Sequence, residues 1–193
     1  MYYPIYIGAV GMKVVYVSIR HVDAQLLEKA GADLSKRIGI DVDVFGVNCE
    51  DVNDDVLLYG NLVRKTADAD FVYVRIMGDP YRFLKFDKYI DTLRKSSALV
   101  YIHAGTPEVM SLVKDLYKGS NEDFKTLFSY SDAKGTENDI STLWYAAHML
   151  KLTDTLPPAP VPRREHGIFH PDFPDDITVE EYMKTLPQRR VRA

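Results

Sequence analysis

A short apolar run, a polar loop and an amphipathic helical stretch follow one another repeatedly between Met12 and Tyr117, and this alternation leaves few architectures open. Lys13–Ile19 (KVVYVSI), Asp41–Val47 (DVDVFGV), Phe71–Met77 (FVYVRIM) and Ala98–His103 (ALVYIH) read as strands. The first, third and fourth are near-continuous apolar runs, as strands covered on both faces must be, whereas Asp41–Val47 alternates and suits a sheet edge. Val22–Ile38 carries Leu26, Leu27, Ala30, Leu34 and Ile38 at helical spacing. Glu50–Ala67 aligns Val52, Val56, Leu57, Leu62 and Val63, and Tyr81–Lys95 aligns Phe83, Phe86, Tyr89, Ile90 and Leu93. Pro107 opens a further helix to about Tyr117, where its missing N–H does no harm. Asn121–Tyr130 and Asn138–Leu152 are two more, with a flexible stretch, Ser131–Glu137, between them. Strands joined by helices are crossover connections. The expected fold is α/β: an open, mainly parallel Rossmann- or flavodoxin-like sheet with helices on both faces.

Texture changes at both ends. Residues 1–11 (MYYPIYIGAVG) are apolar but lack a basic start, and Pro4 interrupts them, so an N-terminal extension or edge strand is expected rather than a signal peptide or membrane anchor. Residues 12–155 make up the α/β domain. Residues 156–193 form a proline-linked C-terminal arm: the connector LPPAPVP, the stretch Arg163–Asp176, a short helix near Thr178–Lys184 and the basic end Gln188–Ala193. A chain of 193 residues can bury a core without disulfides. Its lone cysteine, Cys49, excludes an internal disulfide or a Cys-based zinc cluster and suits a reducing, cytoplasmic setting. With a net charge of -4, a nucleic-acid partner is not expected.

Several catalytic signatures are absent. Ser18-Ile19-Arg20-His21 stands where a dinucleotide fingerprint would follow the first strand, and no GxxxxGK[ST], GxSxG, HExxH or CxxC occurs. No catalytic residue is therefore nominated. In open α/β sheets ligands gather at the carboxyl ends of the strands. That edge makes Ser18, Arg20, His21, Arg75, Met77, Gly78, His103 and Gly105 the ligand-binding candidates. Arg20 and Arg75 suit carboxylates through bidentate contacts, and His21 and His103 suit a metal or proton transfer. The competing reading has Arg75 held by an internal carboxylate such as Asp70 or Asp79, and His103 capping a loop. His166 and His170 are metal-ligand candidates by their spacing, but Gly167 and Pro171 oppose a helix there, so an extended docking motif is favoured. His148, beside Trp144 and Met149, reads as a core histidine.

Arg164–Asp172 (REHGIFHPD), after the proline connector, resembles the "GIYHPD" stretch that follows the first domain of CobN-type cobaltochelatase large subunits and their magnesium chelatase H-subunit relatives. Val17–Ala30 (VSIRHVDAQLLEKA) is similar to that family's first strand, loop and helix. Ala69–Asp79 (ADFVYVRIMGD) resembles its strand ending R-(L/I)-(M/L)-G-G, with Asp79 in place of the second glycine. His103–Glu108 (HAGTPE) falls where the family has a Gly/Pro loop. The order of these segments, over roughly residues 12–185, is what carries the resemblance.

The resemblance implies a part in ATP-dependent insertion of a divalent metal, cobalt or magnesium, into a tetrapyrrole, as in cobalamin-type cofactor biosynthesis. In such enzymes the large subunit holds macrocycle and metal while AAA+ partner subunits use ATP, which agrees with the missing phosphate loop. Family members are several times longer, and their catalytic residues lie in domains this sequence lacks. The chain is accordingly expected to be an excised domain or a truncated relative, binding no cofactor of its own. Two alternatives stand beside this: a non-catalytic domain that docks chelatase partners or further chelatase domains, and an independent small α/β ligand-binding protein.

Overall fold

A computed structural model describes residues 11–77, 82–162 and 177–186. The element order is β1 (Gly11–Ser18), α1 (His21–Ile38), β2 (Asp41–Asn48), α2 (Cys49–Asp54), α3 (Val56–Ala67), β3 (Phe71–Ile76), α4 (Phe86–Lys95), β4 (Leu99–Ala104), α5 (Pro107–Val113), α6 (Asn121–Ala133), α7 (Thr136–Met149) and α8 (Val179–Thr185). The four strands form one parallel sheet in the order β2-β1-β3-β4. The expected α/β class and parallel sheet are thus what the chain forms, with the three most apolar strands adjacent and the alternating one at an edge. The connection β1-α1-β2 moves the chain one way, and β3 returns to the other side of β1, so the strand order reverses there. Among the described residues no helix is long and apolar enough to cross a membrane.

Side-chain alternation along the strands divides the interior in two. Val15, Val17, Val72, Val74, Val100 and Ile102 pack against α2 to α5. Met12, Val14, Tyr16, Phe71, Tyr73 and Tyr101 pack against α1, α6 and α7. Helix α1 stops at Gly39, whose φ of 71° is left-handed and whose N–H bonds the Ser35 carbonyl. It also shields the outer edge of β2: Val42 N–H donates to Ser35 Oγ at 3.0 Å and Gly46 N–H to Glu28 Oε1 at 3.1 Å. Together with Asp41 and Asp43, these bonds blunt an edge that would otherwise offer free donors.

Three sequence expectations are corrected. The helix expected over Glu50–Ala67 is two helices, because Asp55 ends α2 and caps α3, accepting from Leu57 N–H and Leu58 N–H at 2.8 and 3.0 Å. The restart changes the helical phase: Val52 and Leu62 are buried, but Val56 and Leu57 are 76% and 80% exposed. Helix α4 begins at Phe86 rather than Tyr81, because the backbone before it is tied to the end of α2. There Asn53 bonds the Arg82 carbonyl and the Leu84 N–H, and Lys85 Nζ donates to the Val52 and Asn53 carbonyls. Finally, most of the stretch expected to be flexible before Asn138 is helical, with only Lys134 and Gly135 separating α6 from α7.

The chain divides into two compact units, Met1–Val161 and Pro162–Ala193. All of the proline connector except Pro162 therefore belongs to the first. Pro157 is buried, the Pro158 carbonyl accepts from Tyr130 Oη–H at 2.8 Å, and Val161 exchanges two hydrogen bonds with the Asn138 side chain. In the second unit, α8 is capped by Thr178 and Glu181 and buries none of its residues.

Close packing of α1 on β2 depends on Gly31, where a Cβ would stand 2.5 Å from Val44 Cγ2. Alanine there would improve helix propensity by about 1 kcal/mol, whereas overpacking costs about 1–3 kcal/mol. Gly31→Ala is expected to lower the urea midpoint, and adding Val44→Ala to recover most of that loss. A Gly31→Ala protein as stable as the wild type would contradict this packing.

Candidate functional site

The register of the sheet places Asn48, Ser18, Arg75 and His103 side by side in one row, across all four strands, at their carboxyl ends. The row two residues earlier is Gly46, Tyr16, Tyr73 and Tyr101. Both rows face α1, α6 and α7. Tyr16, Tyr73 and Tyr101 form a continuous aromatic band with centroid separations of 4.9 and 5.3 Å, while the small Gly46 lets Ala24 of α1 approach. The polar row thus rests on an aromatic floor, and all four of its members are buried.

Hydrogen bonding along these rows is incomplete. Asn48 Nδ2, Tyr73 Oη, Arg75 Nε and His103 Nδ1 are all sealed from solvent with no partner among the described residues. Buried polar groups are nearly always paired, so a run of them in adjacent rows requires an account. Ser18, in contrast, is engaged: its hydroxyl donates to Asp23 at 3.2 Å and accepts from Arg20 N–H at 3.1 Å. His103 lies 4.9 Å from the Phe128 ring, centroid to centroid.

Two carboxylates act on Arg75 through space without forming an ion pair with it: Asp23 in the first turn of α1 and Asp139 in the first turn of α7. Burial raises the Asp139 carboxyl to about 6, against the attraction of Arg75 and with a small addition from Asp23. Burial also lowers His103 to about 4, and the Arg75 charge reinforces it. Near neutral pH the cluster is therefore a guanidinium, a neutral imidazole and two carboxylates, one of them readily protonated.

The remaining candidates are dispersed. Arg20 is exposed, with Nε 3.6 Å from Asp23. His21 turns toward β2 and α2, its Nδ1 3.2 Å from Asp51 Oδ2, beside a shallow cleft of about 270 Å³. Met77 packs against the opposite interior, among the side chains facing α2 to α5, and so does not lie beneath Arg75. Gly105 extends the β3–β4 ladder by donating to the Ile76 carbonyl at 2.8 Å. Gly78, Asp79, His166 and His170 lie outside the described residues. Asp70 is remote from Arg75: at the amino end of the sheet, it accepts from Lys13 N–H at 2.7 Å. Among the described residues no group of three or more His, Cys, Asp or Glu side chains is placed to hold a metal.

His148 is half-buried rather than a satisfied core residue. Near the end of α7, it lines a cleft of about 720 Å³ with Leu99, Lys118 and Tyr145, at the amino end of β4, and its Nδ1 has no partner. Asn48 and Asp139 were not candidates in the sequence. Asn48 carries a usable signal, since it ends the second strand as Ser18 ends the first. Asp139 carries none, because only the seating of α7 brings it to Arg75.

No protein-family model matches the sequence, and no curated protein matches it. Among solved structures, the fold is similar to the catalytic subunit of cobaltochelatase from Mycobacterium tuberculosis, with a TM-score of 0.56 and 17% identity over 83% of this chain. The match spans 12% of that subunit, so the likeness is to one domain-sized part of a far longer protein, and at this identity it is a likeness of fold.

The opposed shifts at His103 and Asp139 give a test of the cluster. From pH 6.5 down to about 4 the unfolded chain holds a histidine proton that the folded protein lacks, so this group removes stability as pH falls. From about 6 down to 3.8 the folded protein holds an Asp139 proton that the unfolded chain lacks, so that group adds stability as pH falls. Against the wild type, Asp139→Asn is expected to lose stability more steeply on acidification through this window, and His103→Asn less steeply. Urea denaturation across the window reads both slopes; identical slopes in all three proteins would refute the assignment.

Proposed function

We propose that this chain is a module of the tetrapyrrole-binding large subunit of an ATP-dependent metal chelatase of the cobalt type. The observation that carries the reading is the fold match over 83% of the chain to a cobaltochelatase catalytic subunit. It is joined by the ordered sequence resemblances at Val17–Ala30, Ala69–Asp79, His103–Glu108 and Arg164–Asp172. In this role the module leaves ATP to AAA+ partner subunits and contributes a carboxyl edge to macrocycle handling. A tetrapyrrole precursor carries carboxylates or amides around an apolar ring, and a guanidinium such as Arg75 suits its rim. The setting proposed is cytoplasmic, where the single thiol, Cys49, stays reduced.

A second reading, a docking module for other chelatase domains or subunits, has one observation of its own. Val56, Leu57 and Leu84 are each more than three-quarters exposed, and the Leu84 N–H bonds Asn53 at the end of α2, so they gather around the α2–α3 junction. Exposed apolar groups collected in this way mark interaction surfaces more often than scattered ones do.

Titration with a carboxylate-bearing tetrapyrrole, followed by fluorescence quenching of Trp144, tests the first reading. Wild type and His148→Ala are expected to bind alike, and Arg75→Ala about tenfold or more weaker, the loss of one charge-assisted contact. ATP is expected not to bind in the micromolar range. Loss of tetrapyrrole binding in His148→Ala with Arg75→Ala unaffected would move the site to the opposite end of the sheet. No binding to any of the three would favour the docking reading.

A further inference from the structure

Arg75 is 8% exposed, and among the described residues its guanidinium makes neither an ion pair nor a hydrogen bond, the least expected feature of this molecule. Taking an ion out of water costs several kcal/mol unless direct partners replace the solvent. Asp23 and Asp139 offset part of that cost from a distance, but neither is in ion-pair contact with it. Nor do the neighbours in the row complete the site, since Asn48 Nδ2 is an unused donor and His103 Nδ1 is unused as well.

Two helices on the same side of the sheet bring a first-turn carboxyl within electrostatic reach of Arg75. Helix α1 begins three residues after Ser18, and α7 begins three residues before Asp139. They are 18 and 14 residues long, and neither has a side-chain cap on its first turn; α4, on the other face, lacks one as well, whereas α2, α3, α5, α6 and α8 are capped. Uncapped helix N-termini present N–H donors and a positive dipole end, which together favour an anion.

We infer that the row around Arg75 is a binding site for a single oxyanion, the carboxylate or phosphate group of a ligand, held by the guanidinium between the first turns of α1 and α7. The inference rests on the proposed function only in taking the carboxyl edge as the ligand edge. An oxyanion there gives the Arg75 guanidinium the partner that it lacks among the described residues.

The acidic neighbours set a condition on binding. Asp23 is already committed to Ser18 and Arg20. Asp139 is faced by Arg75 and Tyr73 from β3, Tyr16 from β1 and Asp23 from α1, while Glu137 on its own helix is paired with Arg37 at 2.7 Å. An incoming anion is repelled by ionised Asp139 and accepted beside the protonated form, so binding takes up a proton there. Affinity therefore strengthens as pH falls through about 6. One coupled proton limits the gain to about tenfold per pH unit.

Sulfate and trifluoroacetate, both fully ionised near neutral pH, serve as tetrahedral and carboxylate probes at constant ionic strength. Their binding is read by NMR at the Arg75 Nε–H and at the backbone amides of Asn138 and Asp139. At least one probe is expected to give saturable shifts, tighter at about pH 5.5 than at about pH 7.5. Arg75→Gln is expected to weaken the amide response at least tenfold. Asp139→Asn is expected to bind at the higher pH as tightly as the wild type does at the lower, and this arm decides if Arg75→Gln does not fold. Saturation by sulfate alone assigns a phosphate-type ligand, and by trifluoroacetate alone a carboxylate. The inference is overturned if neither probe saturates, if chloride produces the same shifts, or if Asp139→Asn binds more weakly than wild type. Small-anion binding without tetrapyrrole binding would keep this site while removing the chelatase reading.

Discussion

The stacked tyrosines at the centre of the sheet are the contact on which the candidate site depends. Tyr16, Tyr73 and Tyr101 come from three strands, share one register row, and are each nearly fully buried against α1, α6 and α7. Large rings at offset or tilted separations near 5 Å contribute more than their buried area alone. The next row toward the carboxyl edge on the same face is Ser18, Arg75 and His103. Tyr101 is tied to α6 by its hydroxyl, 2.7 Å from Ser131 Oγ. Tyr73 has no such tie, and its hydroxyl is one of the unpaired polar atoms beneath Arg75.

The two interiors have different jobs. Against α2 to α5 the sheet presents valine, isoleucine and alanine, which pack without polar atoms and need no partner. On the α1, α6 and α7 side the apolar character ends one row before the strands do, and charge begins there. This asymmetry, rather than the fold class, singles out one edge and one face of a common architecture. Folds of this kind host many unrelated activities, and the likeness to part of a cobaltochelatase subunit is a likeness of fold.

Protonation couples the cluster internally. Arg75 makes it easier for Asp139 to ionise and harder for His103 to become charged, while burial opposes charge on both. The result is a set of groups whose charge changes at mildly acidic pH. The cleft near His148 lies four β4 residues away, about 13 Å along the strand, and no charged group of the cluster belongs to it.

Strand positions, the parallel sheet and the edge role of β2 were legible in the sequence, because β-branched and aromatic runs have no other way to be covered on both faces. Ser18, Arg75 and His103 were legible as candidates too, since each sits at the end of such a run. What the linear pattern could not contain is their alignment: Ser18 pairs with Arg75 and Arg75 with His103 only because β1, β3 and β4 adopt one register, and register is a pairing between strands. The same limit hid the approach of Asp139 toward Arg75, which depends on the seating of α7, and the packing of Met77 against the other interior. It also hid the break at Asp55, where a cap competes with an otherwise continuous helical pattern. Local periodicity determines which residues form strands and helices. The buried electrostatics of Arg75 are long-range, and only the packed structure decides them.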